Sequence, residues 1–478
     1  MTDYQINDKW ILDRVSSQSN SFSGWMADLL KIVEQLNPEA YEDLKNDKDF
    51  ASLKDLDKEL ANLGRFGKFV NKIGTKTFNW VIKKVEKELK ESAADIDLDL
   101  DIDMITGKRK DLSSALYDVS KERGVESKGL LYLIKALPDL EAFLYSTSVK
   151  KYYRDHTEHA LRVAVLGDFL LEQDLGQGPL GGIISDLISI DKVYLKDKLW
   201  WITGLIHDIG YPLGKMTTAV NYSLVNQLLK CYPTLDLEFI PFEISLSWKG
   251  NQEEYLKILE DGLSKEARAL IRKGVSYDNV NTLPQKSHVY LRNEDGHSEF
   301  NYQSEISLDH GIISALSLLN GLGTPEELKN NDEFKGYILA AKAIALHNFK
   351  GQLKEFTFDN HPLCFFLMLI DELQEWGRPV PIQVRDTYFT TDLKKVTLID
   401  EVALNVDEFS WLFQFKNQKA KDLMKFDFNL FSTEKQKTFA RLNRGESFSE
   451  TTINLQDIKV DKETKKEGEI INQSTIII

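Results

Sequence analysis

The stretch GLIHDIGYPLGK, Gly204 to Lys215, ends an apolar helical run with a histidine and an aspartate side by side, then stops on Gly210 and Pro212. Burying an imidazole next to a carboxylate is costly unless each finds a partner. Two explanations fit these residues taken alone. The pair is either a helix end satisfied by neutral donors or half of a metal site.

The rest of the chain repeats the same oddity. In YYRDHTEHALRVAVLGDFLL, Asp155 and Glu158 have the spacing of a helix N-cap pair, and His159 stands in the first turn. Val163, Leu166 and Leu170 continue the His159 face inward, so His159 on its own reads as a core histidine bonded to a carbonyl. His310 opens SLDHGIISALSLLNGLG, which Asn320-Gly321 closes, and His347 ends YILAAKAIALHNF. Asp371 lies in PLCFFLMLIDELQEWGRP, where the two preceding turns carry no charge. A carboxylate left unpaired there would be strongly penalised or stay protonated. A divalent cation removes the difficulty for all of these residues together. Neutral imidazoles and carboxylates are ligands that zinc, iron, manganese and, in part, magnesium accept. The sequence therefore predicts a metal site at which five helices each direct inward polar groups to a common centre.

The order His159, His207-Asp208, His310, His347, Asp371 resembles the HD-domain superfamily of metal-dependent phosphohydrolases, over about residues 145 to 385. The resemblance implies an all-helical core in which His159, His207, Asp208 and Asp371 hold one metal. In members with two metals, His310 and His347 complete the second position and Asp208 bridges both ions. The cofactor implied is thus one or two divalent ions per chain, of manganese, magnesium, iron, cobalt or zinc. The activity implied is cleavage of a phosphoester or phosphoanhydride of a nucleotide. Deoxynucleoside triphosphate triphosphohydrolases are similar in surrounding such a core with helical additions, and they often assemble into homo-oligomers. This chain has His156 where those enzymes often carry an arginine, three positions before His159. HDIGYPLGK is also similar to the HD-x-G-K signature of cyclic-dinucleotide phosphodiesterases, with the lysine displaced to Lys215 and His347-Asn348 in place of a paired histidine. HD-type di-iron oxygenases share the ligand set, and a non-catalytic nucleotide sensor on the same fold is a further alternative.

Phosphoryl chemistry also needs positive charge beside the metal. Lys215 lies in the loop that should rim the mouth, and Arg154 and His156 precede the His159 helix. Lys215 is therefore expected to act in catalysis and, with Arg154, in substrate binding. His156 is suited to donate a proton to the leaving group, with Asp208 as the other catalytic residue. Lys350 and Arg378 read as solvated charges or further phosphate contacts. Between Asp208 and His310 runs a long polar insertion, about residues 234 to 305, expected to form a lid or specificity element. Trp248, Tyr277, Tyr290 and Tyr302 could stack on a base there or pack the insertion onto the core. His288 and His297 read as surface or lid residues.

The expected fold is mainly α. Residues 1–140 read as a helical N-terminal region, 141–385 as the HD core and 386–460 as a small α+β appendage. Residues 461–478 read as a poorly ordered tail. In the appendage KVTLIDEVALNV, WLFQFK and TTINLQDIKV look like strands, with STEKQKTFARLNRG as a helix. DIDLDLDIDM, Asp95 to Met104, sets five aspartates on one face and reads as an acidic edge or loop, since a flat row offers no cage for calcium. The net charge of −15 argues against general affinity for nucleic acid or anionic membrane, while leaving room for a small basic pocket. Only Cys231 and Cys364 are present, and the apolar runs are too short or interrupted to span a bilayer. MTDYQINDKWILDRV lacks a signal-peptide pattern, so a soluble cytoplasmic protein is expected.

Overall fold

The computed structural model describes residues 3–17, 42, 112–125, 134, 136–137, 156–213, 250–275, 309–349, 357–378, 396–460 and 467–478. The acidic run at 95–104 and the charged residues Arg154, Lys215 and Lys350 lie outside these, as do Trp248, Tyr277, His288, Tyr290, His297 and Tyr302. The chain divides into two compact units, residues 1–8 with 116–478, and residues 9–115. Helices dominate the described residues, and among them none is long and apolar enough to cross a membrane.

In chain order the described elements begin with β1 (Asp3–Ile6), α1 (Asp8–Ser17), α2 (Leu112–Glu122) and α3 (Thr157–Glu172). Next come α4 (Leu180–Ile188), α5 (Trp200–Ile206), α6 (Gln252–Glu260) and α7 (Lys265–Gly274). They continue with α8 (His310–Leu322), α9 (Pro325–Asn330), α10 (Lys335–Leu346) and α11 (Pro362–Leu373). The last part of the chain supplies β2 (Val402–Asn405), β3 (Ser410–Phe415), α12 (Gln418–Met424), α13 (Phe428–Phe439), β4 (Thr452–Val460) and β5 (Glu467–Ile477).

A helix buried on every side has to be enclosed by others. α3 and α5 meet that description, with Thr157 to Leu171 buried in the first and every residue buried in the second. α3 packs on α5 and α11, α5 on α10, and α10 on α8 and α11. The approach of α3 to α5 depends on Gly204, where a Cβ would stand 2.7 Å from the Ala164 Cα. Trp200 locks the pair by donating from Nε1 to the Ala164 carbonyl at 2.8 Å. The described part of the insertion, α6 and α7, buries Tyr255, Leu256, Ile258, Leu259, Ala267 and Ile271. α6 packs on α8 and α10, so this part joins the core and is no free lid.

Two corrections concern the chain ends. Residues 461–478 read as a loose tail, yet Glu467–Ile477 forms β5, antiparallel to β4. Strand pairing needs a partner backbone more than an apolar run, and the Thr451 and Ile478 amides exchange hydrogen bonds with each other's carbonyls at 3.1 and 3.0 Å. Residues 3–6, assigned by sequence to a helical region, form β1 at the other edge of the same sheet. The order is β1-β2-β3-β4-β5, antiparallel except for the β3–β4 pair. That parallel pair requires a long crossover, which α12 and α13 supply. Trp411, Phe413 and Phe415 alternate inward along β3 with the period of two that a half-buried strand requires. The sequence finds these strands, while it misses α12 and starts the appendage helix late. α13 begins at Phe428 because Asp427 caps it, accepting from the Leu430 amide at 3.0 Å. α3 begins at Thr157, with no side-chain cap from His156.

Under the sheet, the buried Lys421 ammonium donates to Asp457 Oδ1 at 2.6 Å and to the Ile458 carbonyl at 2.9 Å. Removing one partner leaves the other charge stranded at a cost of about 3–5 kcal/mol. Lys421→Ala should therefore lower the melting temperature by several degrees. A melting temperature equal to wild type would show that the pair contributes nothing to stability.

Candidate metal centre

Each imidazole at the centre is fixed by what its other nitrogen holds. His207 follows α5, and its Nδ1–H donates to the Gly204 carbonyl at 2.8 Å. His347 follows α10, and its Nδ1–H donates to the Ile344 carbonyl at 2.7 Å. His159, in the first turn of α3, has Nδ1 against Gln374 Oε1, while Gln374 Nε2 donates to the Trp376 carbonyl at 2.7 Å. That second bond fixes which end of the Gln374 amide faces the ring. In all three residues the anchor at Nδ1 leaves Nε2 as the inward nitrogen, the arrangement typical of metal-binding histidines. The rings pack edge to face, with centroids 5.2 Å apart for His159 and His207, 5.2 Å for His207 and His347, and 5.4 Å for His310 and His347.

Asp208 lies among them, and its two oxygens face different sets. Oδ2 is 3.4 Å from His207 Nε2 and 3.8 Å from His159 Nε2, and His159 Nε2 is 2.9 Å from Asp371 Oδ1. Oδ1 is 3.1 Å from His310 Nε2 and 3.5 Å from His347 Nε2. The ligand atoms of His159, His207 and Asp371 lie within 4.8 Å of one another, as do those of His207, Asp208 and His347. Either group could hold a metal ion.

The abrupt stop after the His207-Asp208 pair has a steric cause. The Gly210 amide donates to Ser314 Oγ at 2.8 Å, and Ser314 Oγ donates to the His310 carbonyl at 2.8 Å. A Cβ on Gly210 would collide with that carbonyl and with the Ile313 side chain. The turn after Asp208 thus docks against the start of α8 and brings His310 to the second side of the carboxylate. Asp309 caps α8 by accepting from the Ile312 amide at 3.1 Å. Asn348 joins the cap to the site, donating to Asp309 Oδ2 at 3.1 Å with its Nδ2 2.9 Å from His310 Nε2.

Burial lowers His156 to about 4 and His159 to about 3, the Arg378 guanidinium adding to the second effect. Burial also lowers His207. On Asp208 burial pushes upward, but His207 and His156 outweigh it and hold the carboxyl well below its usual range. Near neutral pH His156, His159 and His207 are therefore uncharged beside a buried anion. Those are the protonation states a cation needs from its ligands. His207 Nε2 is buried without a hydrogen bond, a vacancy worth about 1–3 kcal/mol of lost solvation. Donor set, charge and unsatisfied nitrogen all fit a divalent ion.

The six metal-ligand candidates, His159, His207, Asp208, His310, His347 and Asp371, thus come together. His156 joins them more closely than its position before the helix suggests: its Nδ1–H donates to Asp208 Oδ2 at 2.7 Å, and its ring stacks on Tyr211 with centroids 3.5 Å apart. Arg378, read as a solvated charge or a further phosphate contact, has Nη2 2.9 Å from His159 Nδ1 and donates from Nε to the Gln374 carbonyl at 2.9 Å. Gln374, Ser314 and Tyr211 escape the sequence reading, and Asn348 enters it only as the residue in place of a paired histidine. Their only signal is proximity to a ligand, Gln374 standing three residues after Asp371. No family model, curated protein or solved structure matches the chain.

The pKa shifts give a pH window. In the metal-free protein, folding keeps His156 and His159 neutral down to about 4 and 3, whereas the unfolded chain protonates them near 6.5. Between pH 6.5 and about 4 protons therefore bind preferentially to the unfolded chain, and stability falls as pH falls. Thermal melts of chelator-treated protein should show this decline, and it should be smaller in a His156→Phe variant. Parallel wild-type and variant curves across the window would contradict the assignment.

Proposed function

We propose that the chain is an HD-type metal-dependent phosphohydrolase cleaving a phosphoester or phosphoanhydride of a nucleotide, a (deoxy)nucleoside triphosphate first among the candidates. One observation carries the reading. The Asp208 carboxylate turns one oxygen to His159 and His207 and the other to His310 and His347. In this proposal His159, His207, Asp208 and Asp371 hold one divalent ion, and His310 and His347 with Asp208 hold a second. Manganese, magnesium, iron, cobalt and zinc are the candidates. A divalent ion so held polarises a phosphoryl oxygen and lowers the pKa of water to near neutrality.

The chain's own residues do the remaining work. Asp208 stays ionised and orients His156 through the Nδ1 hydrogen bond. His156, neutral near pH 7 with its proton on Nδ1, first takes a proton on Nε2 from the attacking water and then delivers it to the leaving oxygen, its lowered pKa making the protonated ring a strong acid. Gln374 holds the His159 ring in register, and Arg378 adds fixed positive charge beside it. Lys215 and Arg154, outside the described residues, are the proposed phosphate contacts.

The test is a panel of ribo- and deoxynucleoside triphosphates, monophosphates and cyclic dinucleotides, assayed singly and mixed, with each metal in turn. We expect metal-dependent cleavage, abolished by chelation and by Asp208→Ala. Inorganic triphosphate as product marks a triphosphohydrolase, and a monophosphate released from a cyclic dinucleotide marks a phosphodiesterase. His156→Ala should lower kcat by about 100-fold or more, the usual contribution of a general acid, with metal content unchanged. No cleavage under any combination, with oxygen consumed during turnover of another substrate, would replace the hydrolase with a di-iron oxygenase.

A further inference from the structure

The helix that ends at His347 begins at a second concavity. A cavity of about 530 Å³ opens between α6, the end of α9 and the start of α10. One face of α10 lines it, with Lys335, Ile338, Leu339 and Lys342 at the i, i+3, i+4, i+7 spacing of a single helical stripe. Ile258 and Leu328, both buried, add to the apolar floor. None of the metal-centre residues takes part in this lining.

The polar groups around that floor are unevenly balanced. Lys342 is half-buried, and its ammonium donates to the Asp261 carbonyl at 2.6 Å, a neutral acceptor. Burial lowers its pKa, against the pull of the Asp261 carboxylate. Lys257 and Lys329 share one carboxylate, Glu254, at 2.6 and 3.0 Å. Lys335 forms no ion pair among the described residues. Four lysines from three helices thus surround one opening, against Asp261 and Asp332 in the same wall and Glu254 between Lys257 and Lys329. In a chain of net charge −15 this local excess of cations is unusual.

The chemistry narrows the ligand. A phosphate dianion has three terminal oxygens and so engages Lys335 and Lys342 together. The volume lies in the range of small-molecule sites. The lining contains no aromatic side chain on which a base would stack. Asn331 and Asp332 offer acceptors for hydroxyl groups beside the lysines. We propose that this cavity is a binding site for a phosphate monoester of sugar size, its phosphate held by Lys335 and Lys342 and its carbon skeleton laid on Ile258, Leu328, Ile338 and Leu339. The site stands independently of the metal reading.

Calorimetric titration of the full chain tests it, with ribose 5-phosphate, glycerol 3-phosphate, AMP and citrate as probes. The proteins are wild type, the Lys335→Met, Lys342→Met double variant and Asp208→Ala. Ribose 5-phosphate should bind saturably to wild type and to Asp208→Ala with similar affinity, and at least about tenfold more weakly to the double variant, a loss of about 1.4 kcal/mol. Should the double variant misfold, Lys335→Glu at an exposed position gives the same readout. Absence of saturable binding by both sugar-size phosphates would overturn the proposal, as would undiminished binding to the lysine variants. Loss of binding in Asp208→Ala would move the ligand to the metal centre. Preference for citrate or AMP over both sugar-size phosphates would rule out the stated class.

Discussion

The arrangement depends on one buried carboxylate. Asp208 is 5% exposed and ionised, and its oxygens approach five imidazoles, those of His156, His159, His207, His310 and His347. An anion so placed is tolerable only if something positive or strongly polarised shares the space. The uncharged His156 ring gives it a hydrogen bond without compensating charge. The helices are accordingly arranged so that their ends, where side chains and backbone groups can turn inward, meet at this point. α3 and α8 bring histidines in their first turns, α5 and α10 just beyond their last.

The surrounding chain holds those ends still. Arg162, fully buried one turn beyond His159, donates to both oxygens of Asp8 at 2.7 and 2.8 Å and to Glu158 at 2.8 Å. Asp8, just after β1, is thereby clamped to the helix carrying His159. At the other side, Lys435 of α13 donates to Glu372 Oε2 at 2.9 Å and to the Glu372 carbonyl at 3.1 Å, and it pairs with Glu375 at 2.5 Å. These acids flank Asp371 and Gln374. The sheet-bearing end of the chain thus secures the end of α11, from which one proposed ligand and one ligand anchor both come.

The polar residues at the centre were legible because they are out of place. A charge-free helix reaching Asp371, or an apolar one ending in His207-Asp208, contradicts its own pattern unless a partner exists. The strands of the appendage were legible by alternation, as in Trp411, Phe413 and Phe415. Other features left no local mark. β1 and β5 are short or polar segments whose strand character comes from β2 and β4 beside them. Gln374 looks like an ordinary surface glutamine until the fold places its amide between His159 and Trp376. Gly210 reads as a helix stop, and only the packed structure reveals that the His310 carbonyl occupies the space of a side chain.

Asp208 and its histidines could hold a metal ion, and the proposed function requires that they do. Metal content per folded chain, measured by mass spectrometry on protein purified without chelator and then equilibrated with manganese, is the most direct test. One to two bound ions are expected per wild-type chain, and a loss of most of them in Asp208→Ala with the helical circular dichroism retained. Substoichiometric metal in wild type under saturating conditions, or full occupancy in folded Asp208→Ala, would contradict it.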